Sequence, residues 1–357
     1  MSGFDLESNS DHRENPNDDN DSALGNDDDS TYTSSLTSEA INYRWENGRR
    51  YHGYQDGKYA IPNDDAEQGR LNNQHRLWLL TLNNQLYRAP LKNPQEVLDV
   101  ATGTGSWAID FADQHPEARV YGTDLSPIQP TSVPPNCWFI VDDSEAPWAF
   151  NQTFDYIHCR AFLFGCRNWK RYFQQAYQNM KPGGYLECQE WKGCFFDHDE
   201  GPDTIAKRED HPVADWIAFI CEASSKMGVD LDSTDHWEEW LKEVGFVDVH
   251  IERYYWPCRP LHLGGKTETE TETETETETD NKRLDEMGTL QNLNILAGMR
   301  SSIGLFTRCL GWSKERFEVY LTSVRKEWID PNCKLCIPIV IMWAKKPEGV
   351  ESTTTTA

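Results

Sequence analysis

The alternation of short apolar strands with helices between residues 96 and 190 is the feature that most constrains the fold of this chain. Helices are predicted at residues 107–114 and 169–180. Around them lie five apolar segments with the length of buried strands, at residues 97–100, 119–124, 137–141, 154–159 and 185–190. Alternation at this spacing is typical of a mostly parallel sheet with helices on both faces.

The segments on either side extend this core. A helix is predicted over residues 64–87, because apolar side chains recur there on one helical face. After the fifth strand, the sequence predicts helices at 211–227 and 237–244 and strands at 247–256 and 337–345. We therefore predict an α/β fold in which a doubly wound, mostly parallel sheet of seven strands carries an N-terminal helical cap.

Two acidic segments account for most of the net charge of −25. Residues 1–40 carry −10 and are predicted to form a disordered acidic tail. The Thr-Glu repeat at 267–280 carries −7, within a predicted low-complexity loop at 264–283. The remaining −8 is ordinary for a soluble domain, and no basic patch is available to bind a nucleic-acid backbone.

A single domain is therefore expected over residues 41–347. It divides into a cap at 41–95, a core at 96–191 and a C-terminal part at 192–347, and a second disordered tail follows at 348–357.

The ten cysteines are scattered, and the N-terminus is polar and acidic rather than a secretory signal. We expect reduced thiols in a cytoplasmic protein that is not secreted, with the nucleus as the alternative compartment. Cys333 and Cys336 form a C-x-x-C pair, but zinc requires a second pair that the sequence lacks, so no metal site is predicted. No apolar run approaches the ~18 residues of a membrane span, so no membrane partner is expected.

A glycine-containing turn follows the first predicted strand. Gly103 and Gly105 let the backbone approach a ligand closely, and the helix that follows offers free N–H groups. Residues 103–108 also match the dinucleotide pattern G-x-G-x-x-A, so an ordinary tight turn and an NAD(P) site are both open alternatives. Asp99, ahead of the turn, suits a ligand ammonium group better than a pyrophosphate, which counts against NAD(P).

Acidic residues end the next two strands. Asp124 closes the second strand, where a carboxylate can accept both hydroxyl groups of a ribose. Asp142 and Asp143 close the third strand, where a carboxylate can accept a hydrogen bond from an adenine amine. Because ligands of open α/β sheets bind at the carboxyl edge of the strands, these acids predict a nucleoside site together with Asp99.

The combination of motifs resembles the class I S-adenosylmethionine-dependent methyltransferases, which have a Rossmann-like sheet, and more narrowly the fungal LaeA-like family. The motifs that carry the resemblance are Asp99-x-Ala101-x-Gly103-x-Gly105, Asp124, Asp142-Asp143, Phe154-Asp155-Tyr156-Ile157-His158 and Lys181-Pro182-Gly183-Gly184. Segments at 49–52, 61–71, 134–137, 245–249 and 305–312 add to it, so the resemblance covers residues 43–347.

The resemblance implies S-adenosylmethionine as the cofactor and places its contacts at the sheet edge. Asp99, Gly103 and Gly105 would lie near its methionine part, Asp124 at the ribose and Asp142 at the adenine. The full implied set is Asp99, Ala101, Thr102, Gly103, Gly105, Asp124, Leu125, Asp142, Asp143 and Tyr51, with Tyr51 and His75 covering the cofactor from the cap. Ala101 replaces the family's first loop glycine, a change that is tolerable if its φ is negative.

Three residues are candidates for a catalytic role. His158 ends the fourth strand, and its ordinary pKa of about 6.5 suits removal of a proton from a hydroxyl or an amine, although it could instead only orient a ligand. Arg160 could hold a carboxylate or carbonyl of the substrate. Glu190, at the end of the fifth strand, is the third candidate.

Three functions follow, in descending order. The first is methylation of a small molecule, in fungal secondary metabolism. The second is a LaeA-like regulator of secondary-metabolite genes that works through protein partners, and the third is an NAD(P)-dependent oxidoreductase. A small-molecule enzyme predicts an aromatic-walled pocket beside His158, whereas a regulator predicts a broad exposed apolar patch.

Overall fold

A computed structural model describes residues 40–201, 204–206, 211–260 and 274–349. Most of the predicted tails at 1–40 and 348–357, and the first part of the loop predicted at 264–283, lie outside the described residues.

The predicted doubly wound sheet is confirmed, with one short strand in addition to the seven. Its strands are β3 (Glu96–Val100), β4 (Arg119–Asp124), β5 (Cys137–Val141), β6 (Phe154–Arg160), β7 (Met180–Trp191), β8 (Phe196–Asp197), β9 (Val247–Pro257) and β10 (Leu335–Lys345). The order is β5-β4-β3-β6-β7-β10, and the four pairs from β5 to β7 are parallel. β10 runs antiparallel to β7, to β9 and, over two residues, to β8.

Helices pack on both faces of this sheet. They are α1 (Asp65–Thr81), α2 (Ser106–Gln114), α3 (Trp169–Asn179), α4 (Pro212–Lys226), α5 (Trp237–Val244), α6 (Glu274–Ser301) and α7 (Lys314–Trp328). Alternate residues of β3 enter two separate cores, with Leu98 and Val100 in the larger core and Val97 beside α2 in the smaller one. This alternation is the period-2 geometry of a strand that is buried on both faces.

The N-terminal cap is only partly helical. β1 (Arg44–Glu46) and β2 (Arg49–Tyr51) form a hairpin through Asn47 and Gly48, both at positive φ. Asn-Gly is the favoured pair for such a two-residue turn, so this hairpin had a local sequence signal that periodicity alone misses.

Helix α1 begins and ends for identifiable reasons. The Asp64 carboxylate accepts the Glu67 N–H at 3.1 Å and pairs with Arg49 at 2.6 Å, which caps the helix. The helix ends at Thr81 rather than at residue 87, because Asn83 and Asn84 adopt left-handed φ values of 53° and 62°.

The second half of the segment predicted as a loop, 264–283, is helical from Glu274 onward. The Thr-Glu repeat has no core-forming side chain, and its sequence alone does not predict a helix. Farther along, α6 packs against α1, and glutamate propagates a helix well once another part of that helix is held in place.

The turn from β3 to α2 is strained at one position. Ala101 has a φ of +56°, which corrects the expectation that its φ would be negative. A left-handed conformation costs an alanine roughly 1–2 kcal/mol and a glycine almost nothing. The family's glycine is therefore replaced at the very place where its conformational freedom is needed.

Replacing Ala101 by glycine is therefore expected to leave the free energy of unfolding unchanged or to raise it. The matched control is Ala66→Gly on exposed helix α1, which should lower that free energy by about 0.5–1 kcal/mol. Urea unfolding of the two variants measures the difference, and an Ala101→Gly variant as destabilised as the control would contradict the strain.

Candidate functional site

A cleft of about 1180 Å³, its mouth included, lies at the carboxyl edge of β3, β4, β5 and β6. We call it the rim cleft. Of the residues predicted to contact a cofactor or substrate, those in its wall are Asp99, Ala101, Thr102, Gly103, Asp124, Leu125, Asp142, Asp143 and Arg160. The structure thus gathers in one place side chains that are up to 61 residues apart in the sequence.

Asp124 is held by the turn that carries Gly103. One carboxylate oxygen accepts the Gly103 N–H and the other accepts the Ser126 N–H, each at 2.9 Å. Burial raises the pKa of Asp124 to about 6, although these two hydrogen bonds oppose the shift. A carboxylate has about four acceptor sites, so the bonds within the chain leave capacity for hydroxyl groups of a ligand.

Asp99 is fixed from two sides. Its Oδ1 lies 2.7 Å from His158 Nδ1, and its Oδ2 accepts the hydroxyl of Thr102 at 2.5 Å. Because a carboxylate only accepts, Nδ1 of His158 carries the hydrogen. This links β3, β6 and the turn through one buried carboxylate.

His158 does not reach the rim cleft, which is a correction to its predicted role as a base. Its ring is fully buried and stacks on Trp107, with centroids 3.8 Å apart and an interplanar angle of 9°. The histidine is a positioning residue for Asp99, and no route leads from its ring to a substrate in the cleft. Sequence position placed it at the right strand end, but strand pleating turns it toward α2.

Arg160 does face the rim cleft and belongs to a three-residue chain. Its guanidinium donates to His75 Nδ1 at 2.7 Å, and His75 Nε2 donates to Asp110 at 2.9 Å. Burial lowers the pKa of Arg160 to about 10, so it remains charged at neutral pH. Burial and the neighbouring Arg160 lower the pKa of His75, which is therefore neutral and accepts from the arginine.

The two acids after β5 have different surroundings. Asp143 forms an ion pair with Lys58 of the cap and accepts the Glu145 N–H at 3.0 Å. Asp142 accepts only the N–H of Asp143, at 2.8 Å, and burial raises its pKa. Asp142 is therefore the acid with free capacity, a difference that depends on a lysine 85 residues away from its partner.

Three other predicted residues also lie outside the cleft wall. Glu190 is fully buried beneath Phe162, whose N–H it accepts, and burial raises its pKa to about 8. Tyr51 is buried under Arg308, 4.0 Å from its ring centroid. Gly105 lies under Phe139, and a Cβ there would come within 2.4 Å of the phenyl ring. All three support the fold around the site and do not line it.

A second cavity of about 810 Å³ adjoins the rim cleft, and we call it the inner cavity. Five residues line both spaces, namely Tyr59, Glu67, Leu71, Gln74 and Ala161. Most of its remaining aromatic wall consists of Phe164, Trp191, Phe195, Trp216 and Trp256. Sequence reasoning treated Trp216 as a core or cleft-wall residue and missed the others, because they come from elements far apart in the chain.

Two further searches cover the described ranges. They contain no group of three or more His, Cys, Asp or Glu side chains placed to hold a metal ion. They also contain no helix with the length and apolar character needed to span a membrane.

Comparisons with known proteins agree with this geometry. A family model described as a methyltransferase domain matches residues 72–251. Methyltransferase pytC of Aspergillus terreus is 36% identical over 331 residues, which is 90% of this chain and 93% of that protein. Probable methyltransferase tdiE of Emericella nidulans is 31% identical, covering 79% of this chain and 83% of that protein.

Secondary metabolism regulator laeA of Aspergillus flavus is 28% identical, covering 88% of this chain and 80% of that protein. The matches give no support to the dinucleotide-dependent oxidoreductase that the G-x-G-x-x-A pattern left open. The chain belongs to the S-adenosylmethionine-dependent methyltransferases, within the fungal LaeA-like family.

Proposed function

We propose that this methyltransferase acts on a small molecule, which occupies the inner cavity while S-adenosylmethionine occupies the rim cleft. The observation that carries the proposal is the wall that the two spaces share. A donor and an acceptor bound on either side of Ala161 and Tyr59 would meet there. A second substrate site with a buried aromatic wall is what a small apolar acceptor requires.

The residues in the rim cleft fit the cofactor by their donor and acceptor chemistry. Asp124 has free acceptor capacity for ribose hydroxyls, and Asp142 has it for the adenine amine. Gly103 brings its backbone into the cleft at a φ of +59°, where a side chain would be strained. Asp99 and Arg160 offer opposite charges for the ammonium and carboxylate groups of the methionine part.

When bound, the cofactor supplies a methyl group that its sulfonium already activates. The contribution of the chain is then alignment, which can supply ~7–11 kcal/mol of a reaction barrier. Asp99 is well suited to this task, because His158 and Thr102 fix both of its oxygens. His158 and Glu190 are buried outside the cleft wall, so the proposal assigns proton removal to neither of them.

The alternative is a regulator that works through protein partners, which the similarity to laeA favours. That function needs an exposed binding surface rather than a second buried cavity. The inner cavity, with Phe195 and Trp256 each only 1% exposed, favours the small-molecule acceptor.

Replacing Asp124 by alanine should weaken S-adenosylhomocysteine binding by about 10- to 100-fold, since a hydrogen bond to a charged group is worth roughly 1.5–3 kcal/mol. Titration calorimetry measures the loss. Asp113→Ala removes an exposed acid on α2 and should bind like the wild type. Unchanged affinity in a folded Asp124→Ala variant would remove Asp124 from the cofactor site.

Filling the inner cavity should separate cofactor binding from methyl transfer. Gly298 lines this cavity on α6, and the nearest atom to an added Cβ, in the Arg70 side chain, is 4.0 Å away. Gly298→Leu is therefore expected to fold, to bind S-adenosylhomocysteine normally and to lose methyl transfer at least about tenfold, because it occupies the acceptor's space.

The assay uses methyl-labelled S-adenosylmethionine and an organic extract of fungal mycelium, and follows label into organic-soluble products. Gly69→Leu, at an exposed position of α1 with open space around it, is the matched control and should behave like the wild type. Label that enters precipitated protein instead, or normal transfer by Gly298→Leu, would contradict the proposed acceptor site.

A further inference from the structure

A line of polar side chains crosses the wall of the inner cavity between α1 and α6. Arg70 donates to Asn294 Oδ1 at 2.8 Å, and Asn294 Nδ2 donates to Gln291 Oε1 at 2.9 Å. All three residues line the cavity. Gln291 is fully buried, and among the described residues its Nε2 has no hydrogen-bond partner.

The direction of these hydrogen bonds follows from the arginine at one end. A guanidinium can only donate, so Asn294 must present its oxygen to Arg70 and its amide nitrogen to Gln291. Gln291 must then accept with its oxygen, which leaves its NH₂ group as the free end of the line. A buried N–H without a partner is unfavourable, so a group that accepts this hydrogen bond has a clear advantage in the cavity.

The formal charges in this wall cancel. Glu67 accepts from Arg70 Nε at 2.8 Å and from Nη2 at 2.6 Å, and it also accepts the hydroxyl of Ser301. Burial alone would lower the pKa of Arg70, but Glu67 raises it above its ordinary value, so the pair remains charged. A ligand carboxylate would therefore find no unpaired cation in this wall and would be costly to bury.

The rest of the wall is aromatic and aliphatic. Trp191, Trp216 and Trp256 line the cavity with Phe164 and Phe195. Its volume of about 810 Å³ suits a ligand of several fused or linked rings, since pockets for molecules of that size span roughly 300–1,000 Å³.

We propose that Gln291 is a specificity-determining residue, whose amide NH₂ donates to a neutral oxygen of an otherwise apolar, multi-ring acceptor molecule. A ring carbonyl has this chemistry. The inference rests on the proposed function, because it assumes that the inner cavity holds the methyl acceptor, and it narrows the substrate class to molecules with such an oxygen.

Three rigid probes of nearly equal shape test the inference, namely fluorene, 9-fluorenone and fluorene-9-carboxylate. Their binding to the full chain, saturated with S-adenosylhomocysteine, is followed by quenching of tryptophan fluorescence and checked by calorimetry. The wild type should bind the ketone about tenfold more tightly than the hydrocarbon and more tightly than the carboxylate.

Gln291→Met keeps the length of the side chain and removes the donor, so the ratio of ketone to hydrocarbon affinity should fall to about one. Gln114→Met, at an exposed position on α2, is the matched control and should keep the wild-type ratio. Asn294→Asp is a second test. It can accept from Arg70 but cannot donate to Gln291, so Gln291 is free to turn its NH₂ toward the aspartate, and the ketone preference should fall although Gln291 is intact.

The outcomes separate this inference from the proposed function. If S-adenosylhomocysteine binds but the three probes bind equally or not at all, the substrate class is wrong and the methyltransferase site stands. The same conclusion follows if the carboxylate binds most tightly, or if Gln291→Met keeps the ketone preference. If S-adenosylhomocysteine itself does not bind, the cofactor assignment of the rim cleft fails.

Discussion

The hydrogen bond between the buried side chains of Asp99 and His158 is the interaction on which the rest of the site depends. It connects β3 to β6 at 2.7 Å, and the second oxygen of Asp99 holds Thr102 at the start of the glycine turn. Because His158 stacks on Trp107 of α2, the same contact also sets the position of that helix. The direction in which the turn carries Gly103 toward Asp124 follows from this arrangement.

The N-terminal cap completes the site by supplying partners to the sheet edge. Lys58 pairs with Asp143, Asn63 donates to the hydroxyl of Ser126 at 3.1 Å, and His75 accepts from Arg160. Each contact ties a residue of the cap to the carboxyl end of a different strand. The cap therefore decides which polar groups of the rim are already engaged and which keep capacity for a ligand.

The same helix of the cap, α1, separates the two cavities. Glu67, Leu71 and Gln74 lie on a face of α1 that borders both of them. α6 closes the inner cavity from the other side and supplies Asn294 and Gln291. A donor site that is built mainly by the sheet thus adjoins an acceptor site that is built mainly by helices, so the acceptor wall can vary without change to the cofactor site.

The sequence by itself determined the sheet and the edge at which the site lies. Strand periodicity located every long strand, and the acids at 99, 124 and 142 follow from the rule that parallel strands end at one edge. Periodicity cannot tell which face a strand-end side chain occupies, so His158 and Glu190 were assigned to the cleft although the pleat buries them.

Only the tertiary structure decided which partners these side chains find. Asp143 differs from Asp142 because Lys58 approaches it, and the helix from Glu274 forms because α6 packs on α1. The inner cavity joins α1, β7, α4, β9 and α6, whose residues lie more than 200 positions apart. Strand and helix signals are local in the chain, whereas burial, ion pairing and cavity walls depend on contacts between distant segments, which no local pattern encodes.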